Sequence, residues 1–185
     1  MKNFERFGRL LKISGKILTI VLLAIFQASF IAALPWPLNY FNLVLSILVF
    51  ITVILGFNQA LWFALCAGLI LDAFSFSSFG TIAAILILVA LILNFLFKNF
   101  FTNRSLYSLV ILGLIGNGIY ILSLLIFNFL FFIFGASDNL EKFFSGDNVF
   151  GLIWQIFFGI ISLTTMFILF NFLSKKMKSV FVDVK

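Results

Sequence analysis

The 185-residue sequence contains no histidine, one cysteine, two prolines and only 10% charged residues. A single cysteine, Cys66, cannot form an internal disulfide, and without histidine no conventional zinc site can be built. The scarcity of charge accompanies 64% hydrophobic residues and a mean hydropathy of +1.27. A water-soluble domain of this length cannot bury so much apolar surface, so the composition predicts an integral membrane protein.

Residue patterns that support catalysis are also missing from the sequence. Asp72 is the only acidic residue within the long apolar stretches, no glycine-rich phosphate loop precedes a helix, and no Ser or Cys stands beside a base. We therefore expect no catalytic residues, no cofactor and no metal ion, and a protein that is not an enzyme. The net charge of +6 does not indicate nucleic-acid binding, because the basic residues flank apolar stretches, where they meet membrane lipid.

Six apolar segments follow one another between short polar or proline-containing breaks. They are residues 17–34, 38–56, 59–74, 81–97, 106–134 and 149–173. About 20 apolar residues cross the hydrocarbon core of a bilayer as a helix. The sequence thus predicts an all-α integral membrane protein with six transmembrane helices in a single domain over residues 17–174.

The two ends of the chain are basic. Residues 1–16 form a basic amphipathic stretch in which Phe4 and Phe7 recur at helical spacing among five Lys and Arg residues. This stretch either lies on the anionic cytoplasmic leaflet or is an ordinary cytoplasmic tail that marks topology. Residues 175–185 form a second basic cytoplasmic tail.

The distribution of positive charge predicts the orientation. With six spans and both termini in the cytoplasm, Lys142 is the only one of the twelve Lys and Arg residues on the outer side, and the other eleven lie inside. Basic residues concentrate in cytoplasmic segments of membrane proteins. This orientation places the Pro35–Pro37 break, the turn after Asp72 and the acidic loop 136–148 on the extracytoplasmic side.

Small residues recur every fourth position in two spans, and such stripes let helices approach closely. In the first span they are Ala24, Ala28 and Ala32, and in the third they are Ala60, Ala64 and Gly68, with Asp72 in the next position. We expect both stripes to pack against other helices. Asn117 is predicted to face the bundle, and Asn39 and Asn42 are predicted to be polar groups at the outer end of the second span.

The stretch from Gly68 to Gly80 is the candidate site, because a carboxylate at a helix C-terminus meets the negative end of the helix dipole and needs compensation. Two interpretations are open. Backbone N–H groups around Ser78–Thr81 receive the carboxylate and clamp a helical hairpin, or Asp72 contacts a partner directly. The candidate residues for the clamp or the partner contact are Gly68, Asp72, Ser77, Ser78 and Gly80.

The order of these features resembles the rod shape-determining protein MreD family. The similarity rests on Pro35 and Pro37 before a span, on Gly-Leu-Ile-Leu-Asp at 68–72, and on the short turn that ends at Gly80. The resemblance implies a non-enzymatic, multi-pass scaffold in the bacterial cytoplasmic (inner) membrane that takes part in cell-wall elongation. Its implied partners are a single-span MreC-like protein and, indirectly, an MreB-like filament and the wall synthases.

A second interpretation comes from another class of membrane protein. The MreD family resembles in fold the S-components of energy-coupling-factor vitamin transporters, which are also six-helix bundles. Those proteins often use an Ala-x-x-x-Ala pattern in the first helix for docking, and Ala24, Ala28 and Ala32 match it. On this interpretation a small solute binds in an outer cavity through Asn39, Asn42, Asp72 and Asn117.

Overall fold

The structure is a computed structural model that describes the backbone of residues 2–75, 79–101, 105–133 and 146–181. Side chains are described at residues 14–75, 79–101, 105–131, 133 and 150–172. Over these residues the secondary structure is helical and contains no strand. The helices are α1 (Lys2–Phe26), α2 (Leu43–Ile54), α3 (Phe57–Phe74), α4 (Thr81–Phe100), α5 (Leu106–Ile133) and α6 (Gly146–Phe181).

Five of these helices are long and apolar enough to cross a membrane. The candidate spans are Ser14–Ile31, Phe57–Phe74, Thr81–Phe100, Leu106–Phe131 and Phe150–Phe172. The predicted second span over 38–56 is shorter in the structure, because α2 has only 12 residues and follows a separate 3-10 turn at Leu38–Tyr40. At 1.5 Å per residue α2 is about 18 Å long, against a hydrocarbon core of about 30 Å.

The short helix α2 lies at the centre of the bundle and contacts α3, α4, α5 and α6. Val44, Leu45, Leu48 and Val49 in this helix have no exposed surface. An apolar helix of this length is typical of a buried core helix. The interior is therefore built around α2, while many large apolar side chains of the longer helices point away from it, including Trp62, Phe95 and Phe172.

Helix α1 runs without a break across the predicted boundary between the basic stretch 1–16 and the first span. It ends in a π-helical turn at Gln27–Ile31 that continues directly from Phe26. No proline precedes Pro35, so no proline interrupts the helix over this range. The backbone of the basic stretch and that of the first span therefore form one element.

Candidate functional site

Asp72 lies in the last turn of α3 and is only 3% exposed. Its carboxylate reaches the first turn of α4, where the Ile82 N–H donates to Oδ1 at 2.8 Å and the Ala83 N–H donates to Oδ2 at 3.0 Å. The first four N–H groups of a helix have no partner within the helix. Asp72 satisfies two of them, and the positive end of the α4 dipole stabilises its negative charge.

Gly80 precedes α4 with a φ of 95°, in the left-handed region that favours glycine. As the N-cap residue it has no side-chain oxygen, so it cannot accept a hydrogen bond from the first turn of α4. The carboxylate from α3 takes the place of a capping side chain. Gly80 and Asp72 thus act together: one forms the turn and the other supplies the cap.

Gly68 lies one helical turn before Asp72, where α3 packs directly against Ala83 of α4. A Cβ atom added at Gly68 would overlap the Cα atom of Ala83. The same face of α3 carries Ala60 and Ala64, both with no exposed surface. Since residues four apart share a helix face, the small side chains bring the two backbones together and set Asp72 opposite the start of α4.

The sequence predicted donors at 78–81, whereas the structure uses the N–H groups of Ile82 and Ala83. Ser77, Ser78 and Lys142 lie outside the described residues. Asp72 also contributes to the C-terminal turn of α3. Its backbone carbonyl accepts a hydrogen bond from the Ser75 N–H at 3.2 Å.

A second polar cluster joins the end of α1 to the start of α2, and sequence reasoning missed its central residue. The Gln27 side chain donates to the Phe41 carbonyl at 2.9 Å and accepts from the Leu43 N–H at 2.8 Å. A carboxamide within an apolar span is costly to leave unpaired, and that cost is the signal that could have identified Gln27. Asn42 caps α2, because its Oδ1 accepts from the Leu45 N–H at 2.9 Å.

Asn117 is buried between α5 and α6. Its side chain donates to the Gly113 carbonyl at 2.9 Å and accepts from the Gln155 side chain at 3.3 Å. A Cβ at Gly159 would lie 3.1 Å from Asn117 Nδ2, which is tighter than ordinary contact. The two helices therefore meet through this amide pair and at two glycines, because a Cβ at Gly113 would overlap the Leu163 side chain.

The alanine stripe of the first span does not form one continuous buried face. Ala24 has no exposed surface, Ala28 is half-buried and Ala32 is exposed. The π-helical turn at Gln27–Ile31 lies between them. A π-helical turn contains more residues than an α-helical turn, so it shifts the fourfold spacing off a single face.

A cavity of about 310 Å³ lies between the end of α1, the start of α2, and helices α5 and α6. Its lining comprises Gln27, Asn39, Tyr40, Phe41, Asn42, Tyr120, Leu124, Leu152 and Gln155. Asn39 and Asn42 are thus brought together there, whereas Asp72 and Asn117 do not line it. Within the described residues, no group of three or more Cys, Asp or Glu side chains is placed to hold a metal ion.

An all-helical bundle with five helices of membrane-spanning length defines a multi-pass membrane protein. The model of the family described as rod shape-determining protein MreD matches residues 12–178. The chain belongs to this family, and the match confirms the resemblance found in the sequence. Family membership implies a role in rod shape determination. Comparisons with curated proteins and with solved structures gave no significant match.

Proposed function

We propose that the chain is a non-enzymatic scaffold of the bacterial cell-wall elongation complex in the cytoplasmic (inner) membrane. In this role it binds a single-span partner such as MreC and, through it, is linked to an MreB-like filament and the wall synthases. Membership of the MreD family supports the role in cell shape. The geometry of the α3–α4 hairpin supports a binding role for its tip.

The observation that carries the proposal is the commitment of both Asp72 oxygens to backbone N–H groups. A carboxylate held in this way fixes the relative position of two helices and presents no free oxygen to a substrate. Among the described residues at its tip, the fixed hairpin presents two aromatic side chains, Phe74 at 56% and Phe79 at 73% exposure. Exposed aromatic side chains on a rigid support are favoured at the centres of protein interfaces.

We also propose that the bundle crosses the membrane six times, with both termini in the cytoplasm. On this view the 3-10 turn Leu38–Tyr40 and α2 together make the second crossing, and α2 is surrounded by α3, α4, α5 and α6. The excess of Lys and Arg in the inner segments supports the orientation. It places the hairpin tip outside, where the extracytoplasmic part of a single-span partner can reach it.

The alternative role, a solute-binding S-component, receives less support. That role requires an alanine face on the first helix that is free to dock a coupling subunit. Ala24 is fully buried within the chain, and the π-helical turn separates it from the exposed Ala32. Asp72, which that interpretation places in the solute site, does not line the polar cavity.

The proposal predicts that replacing Phe79 with alanine weakens binding of the MreC-like partner. Loss of a central aromatic contact costs about 2 kcal/mol, or roughly thirtyfold in Kd. The measurement is co-purification from membranes and titration of the purified proteins in nanodiscs. Phe100→Ala is the matched control, because Phe100 is 71% exposed and lies at the other end of α4.

Equal partner affinity of the Phe79→Ala and Phe100→Ala variants would contradict a binding role for the hairpin tip. Asp72→Ala is expected to weaken binding of the partner and also to lower the thermal stability of the protein, because Asp72 affects binding by holding the hairpin in place. If Asp72→Ala abolished binding with unchanged stability, Asp72 would contact the partner directly.

A further inference from the structure

Helix α1 is exposed along one side. It packs against α3, and Ala24 on the side of the bundle has no exposed surface. The opposite side is exposed at Gly15, Leu18, Leu22, Ile25 and Ser29. These positions follow one another at intervals of three and four residues, which places them in a single line along a helix.

The same spacing continues toward the N-terminus at Leu11, Gly8 and Phe4. The backbone of α1 is one helix from Lys2 to Phe26, so the register is kept. The whole set, here named the α1 stripe, comprises Phe4, Gly8, Leu11, Gly15, Leu18, Leu22, Ile25 and Ser29. Large apolar residues occupy every seventh position, and three of the four positions between or after them are small. Alternating intervals of four and three residues are typical of helices that pair as coiled coils.

Membrane lipid accounts for only part of the α1 stripe. The apolar run begins at Ile17, and Phe4 precedes it by thirteen residues, or about 20 Å of helix. The interfacial layer adds only about 5–8 Å on each side of the hydrocarbon core. Even a helix tilted by about 40° would carry position 4 about 15 Å beyond the start of the run. The occupant of the stripe must therefore extend past the membrane, as α1 does.

Gly15 has no role within the described chain. A Cβ atom added there would meet no atom within 4 Å, and positive φ angles occur at Gly56 and Gly80 instead. At Gly68, by contrast, Ala83 of α4 occupies the space beside the glycine. Glycine in a helix interior is less stable than alanine, and its benefit in a membrane is the close approach of another helix. The open space at Gly15 therefore fits a helix from outside this chain.

A second copy of α1 has the features that this occupant needs. In a parallel pair with a two-fold axis along the membrane normal, each stripe position meets its own counterpart. The second copy crosses the membrane in the same direction and extends equally far beyond the apolar run. It thus supplies an apolar surface at Phe4 and Leu11, where lipid is absent, and a leucine and isoleucine surface within the span.

The positive charge of the N-terminal stretch does not oppose such a pair. Lys2, Arg9 and Lys16 also recur every seventh residue, but at about 140° around the helix from the α1 stripe. When two copies meet along the stripe, these basic positions lie on the outer sides of the pair, about 20 Å apart. That separation exceeds the Debye length of about 8 Å at physiological ionic strength, so the repulsion is screened.

We propose that two copies of this chain pair in parallel along the α1 stripe, within the membrane and beyond it. This interface goes beyond the scaffold role and does not depend on it, because α1 is separate from the tip of the α3–α4 hairpin. In a parallel pair both hairpin tips lie on the same side of the membrane. A partner with two binding modules could then bind both tips at once.

The first test measures association of the purified full chain in vesicles of phosphatidylethanolamine and phosphatidylglycerol. Chains labelled at the C-terminus with donor or acceptor dyes should show energy transfer that saturates as the protein-to-lipid ratio rises. Gly15→Leu fills the open space on the stripe and is expected to raise the dissociation constant of the pair at least about tenfold. Gly118→Leu is the matched control, because Gly118 in α5 is also exposed and has open space around an added Cβ.

The second test locates the contact by cysteine cross-linking in a Cys66→Ser background. Leu18→Cys should give a disulfide-linked dimer on mild oxidation, since each position meets its counterpart across the two-fold axis. Leu11→Cys should do the same if the pair continues beyond the apolar run. Phe95→Cys is the control, because Phe95 is 62% exposed but lies on α4.

Several results would overturn the proposal. A chain that stays monomeric in vesicles at every protein-to-lipid ratio would do so, and cross-linking of Leu18→Cys to a different protein in cells would then assign the stripe to that protein. Equal association of the Gly15→Leu and Gly118→Leu variants would place the contact elsewhere. Equal cross-linking of Leu18→Cys and Phe95→Cys would indicate random collision, and cross-linking at position 18 without position 11 would contradict a pair that extends beyond the membrane.

Discussion

The α3–α4 hairpin and the α1–α2 junction both place a polar side chain on backbone N–H groups, but they do so in different ways. In the hairpin a charged residue at the end of α3, Asp72, accepts hydrogen bonds from the start of α4, and Gly68 brings the two backbones into contact. At the junction a neutral residue, Gln27, pairs with the Phe41 carbonyl ahead of α2 and with the Leu43 N–H at its start, and a cavity remains beside it. A buried charge is tolerated in the hairpin because a helix N-terminus compensates it and the helices pack closely around it. At the junction the polar side chains are neutral amides, which can line a cavity without such compensation.

The difference assigns separate tasks to the two regions. The hairpin is a rigid support whose tip carries exposed aromatic side chains. The junction is a break between helices that retains polar groups beyond those needed to satisfy the backbone. Substitutions in the hairpin should therefore cost more stability than comparable substitutions at the junction.

The largest expected effect is that of Gly68→Ala. The added methyl group would overlap the backbone of Ala83, so α3 and α4 must separate and the Asp72 hydrogen bonds must lengthen. The expected loss is about 3 kcal/mol, at the upper end for overpacking. Thermal or denaturant unfolding of the purified protein measures it.

Gly118→Ala is the control for that substitution. Gly118 lies within α5 and has no neighbouring atom near an added Cβ, so alanine there should be neutral or stabilise by about 0.5–1 kcal/mol. Similar stability losses for Gly68→Ala and Gly118→Ala would contradict the close contact between α3 and α4.

A smaller effect is expected from Gln27→Leu at the junction. This change leaves the Phe41 carbonyl and the Leu43 N–H without the side chain that now satisfies them, at a cost of about 1–3 kcal/mol. Gln59→Leu is the matched control, because Gln59 is exposed near the start of α3. Equal unfolding temperatures of the two glutamine variants would show that Gln27 does not hold the junction.

Sequence patterns predicted the hairpin better than the junction, because the residues that form the hairpin lie close together along the chain. Ala60, Ala64, Gly68 and Asp72 lie four residues apart, so helical geometry alone places them on one face. The turn to α4 is short, which makes a contact between the carboxylate and the next helix start easy to anticipate. The actual donors, Ile82 and Ala83, lie only a few residues past the predicted ones.

The junction depends on features that hydropathy does not show. The apolar run from Leu38 suggested one long span, yet the helix begins only after Asn42, a residue whose type is favoured at N-caps. The π-helical turn at Gln27–Ile31 places Ala32 on a different face from Ala24. No pattern of residues in this segment predicts such a turn. The cavity is formed by four separate elements, so only the fold reveals it. The six-span count and the orientation stay predictions from apolar length and charge.

The central claim is that Asp72 holds the start of α4, and amide hydrogen exchange at Ile82 and Ala83 tests it most directly. In the wild-type protein both N–H groups should exchange slowly, because each donates to the carboxylate. In Asp72→Ala they should exchange at least about tenfold faster, the factor for a loss of about 1.4 kcal/mol. The Ala84 N–H, which donates to the Gly80 carbonyl, should change less. Unchanged exchange at Ile82 and Ala83 in Asp72→Ala would contradict the account.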